Sequence, residues 1–225
     1  PDKVILRDVI AISIPCGLQS SMYNISNLLV QIKINAFGTV AMAGTTAYGK
    51  IDAFVYMPMA ALSLAISTFV GQNIGAGRYD RMKKAIRVSL ALSICCVLVL
   101  CAVIFVFFEP LMHIFTDDEQ AIAFGRDMLY YLFPVVWFYS FVDSFSGAVR
   151  GSGQAVQVTV ICALCICVFR ILWLEALLPF FADIRVVYLC YPVSWVLCGL
   201  ALTWYYFRRS SLRRAIAQHT AAHTA

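Results

Sequence analysis

Four ionisable side chains, Lys50, Asp52, Asp143 and Arg170, interrupt stretches otherwise rich in Val, Ile, Leu, Phe, Ala and Cys. In hydrocarbon such a group costs about 2.5–3.5 kcal/mol at a helix centre, so each one pairs, faces water or serves a function. Lys50 and Asp52 are separated by about 200° on a helix and cannot face one another. The pair reads either as a substrate- or cation-binding carboxylate tuned by a nearby ammonium or as two separate structural charges between helices. Asp143 lies among Ser140, Ser144 and Ser146. It is either bonded to those hydroxyls or part of a proton or cation relay. Arg170 sits at a depth comparable to Asp52, and the two are expected to approach each other. Glu175, nearer the end of its run, is expected to reach water.

The elements that hold these groups are membrane helices. The chain is 62% hydrophobic and 13% charged with a mean hydropathy of +0.82, about half the charge of a soluble domain. Six apolar runs are each long enough for the roughly 20 residues a spanning helix needs. They place spans at about 9–34, 39–72, 86–108, 126–149, 154–180 and 186–207. Residues 1–209 form one all-α transmembrane lobe, and 210–225 a polar tail expected to fray. Strands of a membrane barrel would be shorter and would alternate. The first run is too long for a signal h-region, and the chain reads as a piece of a longer protein.

Of the 17 Lys and Arg, twelve fall on the side of the termini and of the loops after spans two and four. Three fall on the other side. By the positive-inside rule both termini are cytoplasmic. The net charge of +5 therefore reflects orientation and anionic headgroups, and a nucleic-acid partner is excluded. In the loop His113–Gln120, Thr116 or Asp117 is expected to cap the next helix. All nine Cys lie in apolar runs, where Cys serves as a small hydrophobe. Cys162-x-x-Cys165 lacks the further ligands of a zinc site, and His113, His219 and His223 carry no assignment. No metal site, P-loop or catalytic constellation is present, so the chain does not read as an enzyme.

Gly71–Gly77 and Gly147–Gly153 close the cytoplasmic ends of spans two and four, with Gln72 and Asn73 expected to hydrogen-bond the first turn. Pro15, Pro58, Pro134 and Pro192 sit inside spans and should kink them. Trp137, Phe138, Tyr139 and Phe141, with Met57 and Met59, either line an apolar cavity or pack between helices and lipid.

Phe69–Arg78 (FVGQNIGAGR), following Met57-Pro58-Met59 and the small-residue run Ala60–Ser67, resembles the multidrug and toxic compound extrusion (MATE) transporters. Gly71, Gln72, Asn73, Gly75 and Gly77 carry the first signature. Val149-Arg150-Gly151-Ser152-Gly153 resembles the second, and Ile114–Asp118 the outer loop between. The order and spacing agree over residues 3–209. The resemblance implies one six-helix lobe, the C-terminal one, of a twelve-helix inner-membrane antiporter. Proton or sodium entry would drive export of small amphipathic or cationic compounds, with no cofactor, and an N-terminal lobe would be the partner. Sodium-coupled members carry a Glu in the first span of this lobe, where Tyr23 stands here. Their Asp in the fourth span lies about a turn away from Asp143, so that cation site is not carried over. Lys50-x-Asp52 resembles a subset of bacterial members. The resemblance implies a cavity walled by spans one, two, four and five, with Asp52, Lys50, Asp143 and Arg170 as candidate binding groups. A flippase for lipid-linked oligosaccharides, from the same wider superfamily, would need a denser set of intramembrane cations. A membrane enzyme would need clustered acids, and Asp117-Asp118-Glu119 reads as a solvated loop.

Overall fold

The computed structural model describes residues 3–216, the side chains of 3–5 and 8 excepted. His219, His223 and the rest of the tail lie outside these. The described residues are helical with no strand. Helix α1 runs Lys3–Asn35, α2 Thr39–Gly75, α3 Tyr79–Val106, α4 Phe108–His113, α5 Glu119–Val136 and α6 Tyr139–Gly151. Helix α7 (Ala155–Cys162), a π-helical turn (Ala163–Val168) and α8 (Phe169–Leu177) make one continuous element, and α9 spans Ile184–Arg208. Four elements are long and apolar enough to cross a membrane, or five when the bent pair α5–α6 counts as one span. Helix α1 is long enough, but Gln19, Asn24, Asn27 and Gln31 dilute its apolar sequence. Its outward side chains, Ile14, Leu18, Ile25 and Leu28, are exposed and apolar, as a lipid-facing surface requires.

Small residues set the closest helix crossings. Were Gly147 or Gly151 of α6 to carry a Cβ, it would sit on the carbonyl oxygen of Ser63 or Ser67 of α2. A Cβ on Gly44 would strike the Ala121 carbonyl of α5 in the same way. Dispersion and interhelical hydrogen bonds, which drive association in lipid, grow with such close approach. The Ser63 hydroxyl donates to the Asp143 carbonyl at 2.8 Å. Gly77 and Gly153, with φ of 67° and 83°, supply the left-handed residue that each glycine turn demands. Backbone carbonyls of Gln72 and Asn73 accept from Ala76 and Arg78 at 3.0 and 2.8 Å. The Asn73 side chain turns back to the Phe69 carbonyl, so main chain closes this turn where side chains were expected.

The expected fourth span is broken. Downstream of Pro134 the axis bends by 51° between α5 and α6. Phe138, Ser140 and Phe141 donate to carbonyls three residues back, at 2.9–3.1 Å. Trp137 Nε1 donates to the Pro134 carbonyl at 2.8 Å. Proline removes a helix donor and clashes with the preceding turn, and this tighter turn takes up the strain. The helix after the outer loop is capped one residue later than expected. Asp118 Oδ1 accepts from Gln120 and Ala121 at 2.9 and 3.4 Å, while Thr116 accepts from Asp118.

Two apolar clusters form the interior. One, at the Asp118 end, includes Val30, Tyr48, Val55, Leu129 and Tyr188. The other, at the glycine-turn end, includes Val70, Met82, Val142, Cys162 and Leu202. The start of the tail belongs to the second cluster. Residues 211–216 are helical, Leu212 and Ile216 are buried, and Gln154 Oε1 accepts from Ser210 and Ser211 at 3.2 and 3.1 Å. The expectation of fraying fails here because Leu212 and Ile216, four apart, present one apolar face to the lobe.

Candidate functional site

A cavity of about 400 Å³ lies within the lobe. Helical spacing builds its walls. On α2, Tyr48, Asp52, Tyr56 and Ala60 recur every fourth residue, which keeps them on one face; the last three line the cavity. On α6, Tyr139 and Asp143 repeat the same step, and on α9 Tyr191 and Trp195 do so again. Helix α1 adds Tyr23 and Asn27, and the fifth span adds Ile166 and Arg170. The sixth span thus joins the four expected in the wall.

The Tyr48 hydroxyl donates to Asp52 Oδ1 at 3.4 Å, and Tyr56 borders the same cavity one turn on. Arg170 is buried, 4% exposed. Its Nε donates to Ser194 Oγ at 2.9 Å and Nη1 to Asn27 Oδ1 at 3.1 Å. The guanidinium lies 4.4 Å from the Tyr191 ring centroid, a desolvated cation–π contact. Among the described residues no carboxylate comes within 4.0 Å of Arg170. Asp52 and Arg170 share the cavity, and the expected direct pairing between them does not form. Each is taken by nearer neutral partners, Asp52 by Tyr48 of its own helix and Arg170 by α9 and α1.

The π-helical turn Ala163–Val168 ends two residues before Arg170. Such a turn shifts the angular position of everything after it and is frequent at functional sites.

Asp143 differs from Asp52. Among the described residues no side chain or backbone group donates a hydrogen bond to its carboxylate. Ser140 points to Met59 Sδ at 3.7 Å, and Ser146 lies beside the Cys162 thiol. Asp143 also borders a second, smaller cavity of about 220 Å³ toward the glycine-turn end, lined by Gln19, Ser63, Ser146 and Arg150 among others. Tyr23, Ala60, Tyr139 and Asp143 belong to both cavities.

Lys50, about 200° from Asp52, faces away. It is exposed, its ammonium 5.2 Å from the Phe115 ring. It borders an open hollow of about 630 Å³ at the Asp118 end with Gln31, Asn35, Thr46 and Thr116. Glu175 pairs with Lys33 at 2.7 Å and is 62% exposed. Of the aromatic cluster read from sequence only Tyr139 reaches the central cavity. Trp137, Phe138 and Phe141 pack on one another, Met57 is exposed and Met59 is buried. Cys162 lies 3.8 Å from Cys198. Among the described residues no group of three His, Cys, Asp or Glu could hold a metal ion.

The MatE family model matches residues 15–173, which takes in α1 through most of the fifth span and every cavity residue except those of α9. The chain belongs to the MATE family. It is 25% identical over 211 residues to the probable multidrug resistance protein YoeA of Bacillus subtilis, covering 91% of this chain and 44% of that protein. It is also 25% identical over 190 residues to an FAD transporter of Shewanella oneidensis, covering 83% and 41%. A crystal structure of MATE in complex with MaL6 superposes with a TM-score of 0.84 at 17% identity, over 95% of this chain and 49% of that one. An outward-facing MATE family transporter superposes at 0.77, over 91% and 45%. The chain spans about half the length of the relatives it matches, which is the share of one MATE lobe. It is a multi-pass membrane protein of a transporter family.

Sequence reasoning overlooked Tyr48, Tyr56, Asn27, Tyr191, Ser194 and Trp195. The Tyr48-x-x-x-Asp52-x-x-x-Tyr56 step and the Tyr191-x-x-Ser194-Trp195 step were visible signals of polar or aromatic faces in otherwise apolar helices. Asn27 had no such marker.

Proposed function

We propose that this chain is one lobe of a secondary antiporter that exports small amphipathic aromatic cations, driven by proton entry, with the glycine-turn end in the cytoplasm of a bacterial inner membrane. The observation that carries this reading is the Asp143 carboxylate, which opens on a cavity lined by Tyr23, Tyr56, Tyr139 and Trp195 and among the described residues has no hydrogen-bond donor or direct ion pair. Flat aromatic drugs suit such a lining through stacking and apolar contact. A free carboxylate beside it can hold either a drug cation or a proton. Exclusive occupancy is the essence of exchange, since a ligand shifts the transporter only by its differential affinity for the two states. A proton needs one carboxylate, whereas sodium needs several oxygens around it, and here Asp143 has no second acid beside it. Asp52, already bonded to Tyr48, is the second acid of the same cavity. Arg170 is a fixed positive charge that ties α1, the fifth span and α9 together.

A flippase would have to grip a pyrophosphate, and Arg170 alone is a poor match for that charge. Rocking of two lobes around a midplane site is the expected mode of alternating access, so the partner lobe is required for transport.

The test uses the full-length protein in drug-sensitive cells and in proteoliposomes. Asp143→Asn and Asp52→Asn should each lower resistance to a lipophilic cation such as tetraphenylphosphonium while membrane expression is unchanged. Wild-type resistance in both variants would dismiss the reading. Sodium dependence at constant pH would replace the proton by sodium.

A further inference from the structure

We infer that the smaller cavity between α1, α2 and α6 is the passage by which the coupling proton leaves Asp143 toward the glycine-turn end, and that Arg150 is the counter-ion that takes the carboxylate once the proton has gone. This rests on the reading that Asp143 carries that proton.

Two opposite charges border this cavity without a direct ion pair, Arg150 acting on Asp143 through space. Arg150 Nε is out of reach of solvent and has no hydrogen-bond partner. Among the described residues no carboxylate lies within 4.0 Å of the guanidinium. Asp143 sits in the same cavity with its carboxylate free. The two are seven residues apart on α6, which places them on one face about 10.5 Å apart along the axis. Helix side chains lean toward the N-terminus, so the long arm of Arg150 leans toward Asp143. A change of rotamer, with a small helix adjustment, brings them together. The Arg150 charge already acts on Asp143 from across the cavity, and a second state in which the two meet turns that attraction into a direct Arg–carboxylate pair.

The cavity has what a proton path needs. Gln19, Ser20, Ser63 and Ser146 border it. A polar space of about 220 Å³ has room for several waters. It begins at Asp143, on the border with the central cavity, and ends at Arg150, in the last turn before Gly151 and Gly153. When the carboxylic acid of Asp143 gives its proton to water here, a carboxylate remains. Arg150 stays protonated throughout and neutralises that carboxylate, which holds the site closed to a returning cation. Reprotonation or an arriving drug cation displaces the guanidinium. The other titratable groups around Asp143 are Cys16 and Tyr23 on α1, Asp52 and Tyr56 on α2, Tyr139 on α6, Cys162 and Arg170 from the fifth span, and Tyr191 and Cys198 on α9. Helix α3 meets this region through Met82 and Ile86. Among the described residues that line this cavity, Arg150 is therefore the permanent cation on the glycine-turn side of Asp143.

The full-length protein with Arg150→Gln, Arg150→Lys, Asp143→Asn and the double change Asp143→Asn/Arg150→Gln tests this. Tetraphenylphosphonium affinity and turnover in proteoliposomes are read separately. Arg150→Gln removes the competing cation, so affinity should rise by about fivefold while turnover falls by about tenfold, within the usual range of coupling between sites. Arg150→Lys should keep both within about twofold of wild type, since it retains the charge. In the Asp143→Asn background Arg150→Gln should change neither. Unchanged affinity and turnover in Arg150→Gln, or the same losses without Asp143, would overturn the assignment. If the wild-type protein does not bind the probe, the substrate reading fails, and a thermal-stability cycle of the same four proteins decides the pair. Coupled effects of the two changes support it, and additive effects overturn it.

Discussion

Replacing Arg170 by Gln should cost the lobe more stability than any other single change in the central cavity. The guanidinium makes two charge-assisted hydrogen bonds, to Ser194 and Asn27, and lies 4.4 Å from the Tyr191 centroid. Hydrogen bonds to charged groups contribute about 1.5–3 kcal/mol each, and a desolvated cation–π contact about 2 kcal/mol. Part of this is recovered. Ser194 keeps its bond to the Tyr191 carbonyl at 2.7 Å, Asn27 borders the cavity and can meet water, and the costly burial of the charge disappears. The net loss is about 2–4 kcal/mol, a drop in melting temperature of about 4–16 °C for a chain of this size and about half that for a protein twice as long, because the unfolding entropy grows with length. Thermal unfolding of the purified full-length protein with a thiol-reactive dye reads this directly, because Cys101, Cys162, Cys167, Cys190 and Cys198 are buried. Arg170→Lys keeps the charge and loses the planar fork, so it should fall between the two. A melting temperature for Arg170→Gln within 1 °C of wild type would refute the assignment of Arg170 as the tie between α1, the fifth span and α9.

Gly151→Ala should destabilise by about 1–3 kcal/mol because its Cβ meets the Ser67 carbonyl. Gly75→Ala, with nothing within 4 Å, should be neutral or gain about 0.5–1 kcal/mol; equal effects at the two glycines would contradict the α2–α6 packing. Asp118→Ala removes the cap of α5 and should cost about 1 kcal/mol, measured by thermal unfolding; no change would mean the cap is redundant. Asp52→Asn should weaken tetraphenylphosphonium binding by about tenfold, in line with a partly screened charge pair, while Lys50→Gln, which faces a different hollow, leaves it within about twofold. Equal losses in an equilibrium-binding measurement would put Lys50 in the central site.

The all-helical membrane architecture was legible because apolar runs of spanning length dominate the chain, and the family because FVGQNIGAGR stands between small residues and a basic loop. The break in the fourth span was half visible. Pro134 announced a kink, yet the turn at Trp137–Phe138 depends on local hydrogen bonds that no residue type marks. The π-helical turn before Arg170 had no signal either, since Ala163–Val168 reads as any apolar helix. Of the site, the four charges could be named from hydropathy alone, but their roles could not. Lys50 and Asp52 separate because helical rotation sends them to different spaces. Asp52 and Arg170 do not pair because Tyr48, Asn27 and Ser194 satisfy them first. Those partners come from three helices, and their convergence is a property of the fold. The start of the tail departs from its polar reading for the same reason: Leu212 and Ile216 look isolated in a polar segment until the lobe offers them a face.

Proton-driven uptake of tetraphenylphosphonium into proteoliposomes, compared between the full-length protein and Asp143→Asn, tests the central claim most directly. With an imposed pH gradient the wild-type protein should exchange the cation for protons, and Asp143→Asn should lose gradient-driven exchange while remaining folded in the membrane. Gradient-driven exchange at the wild-type rate in Asp143→Asn would contradict the account.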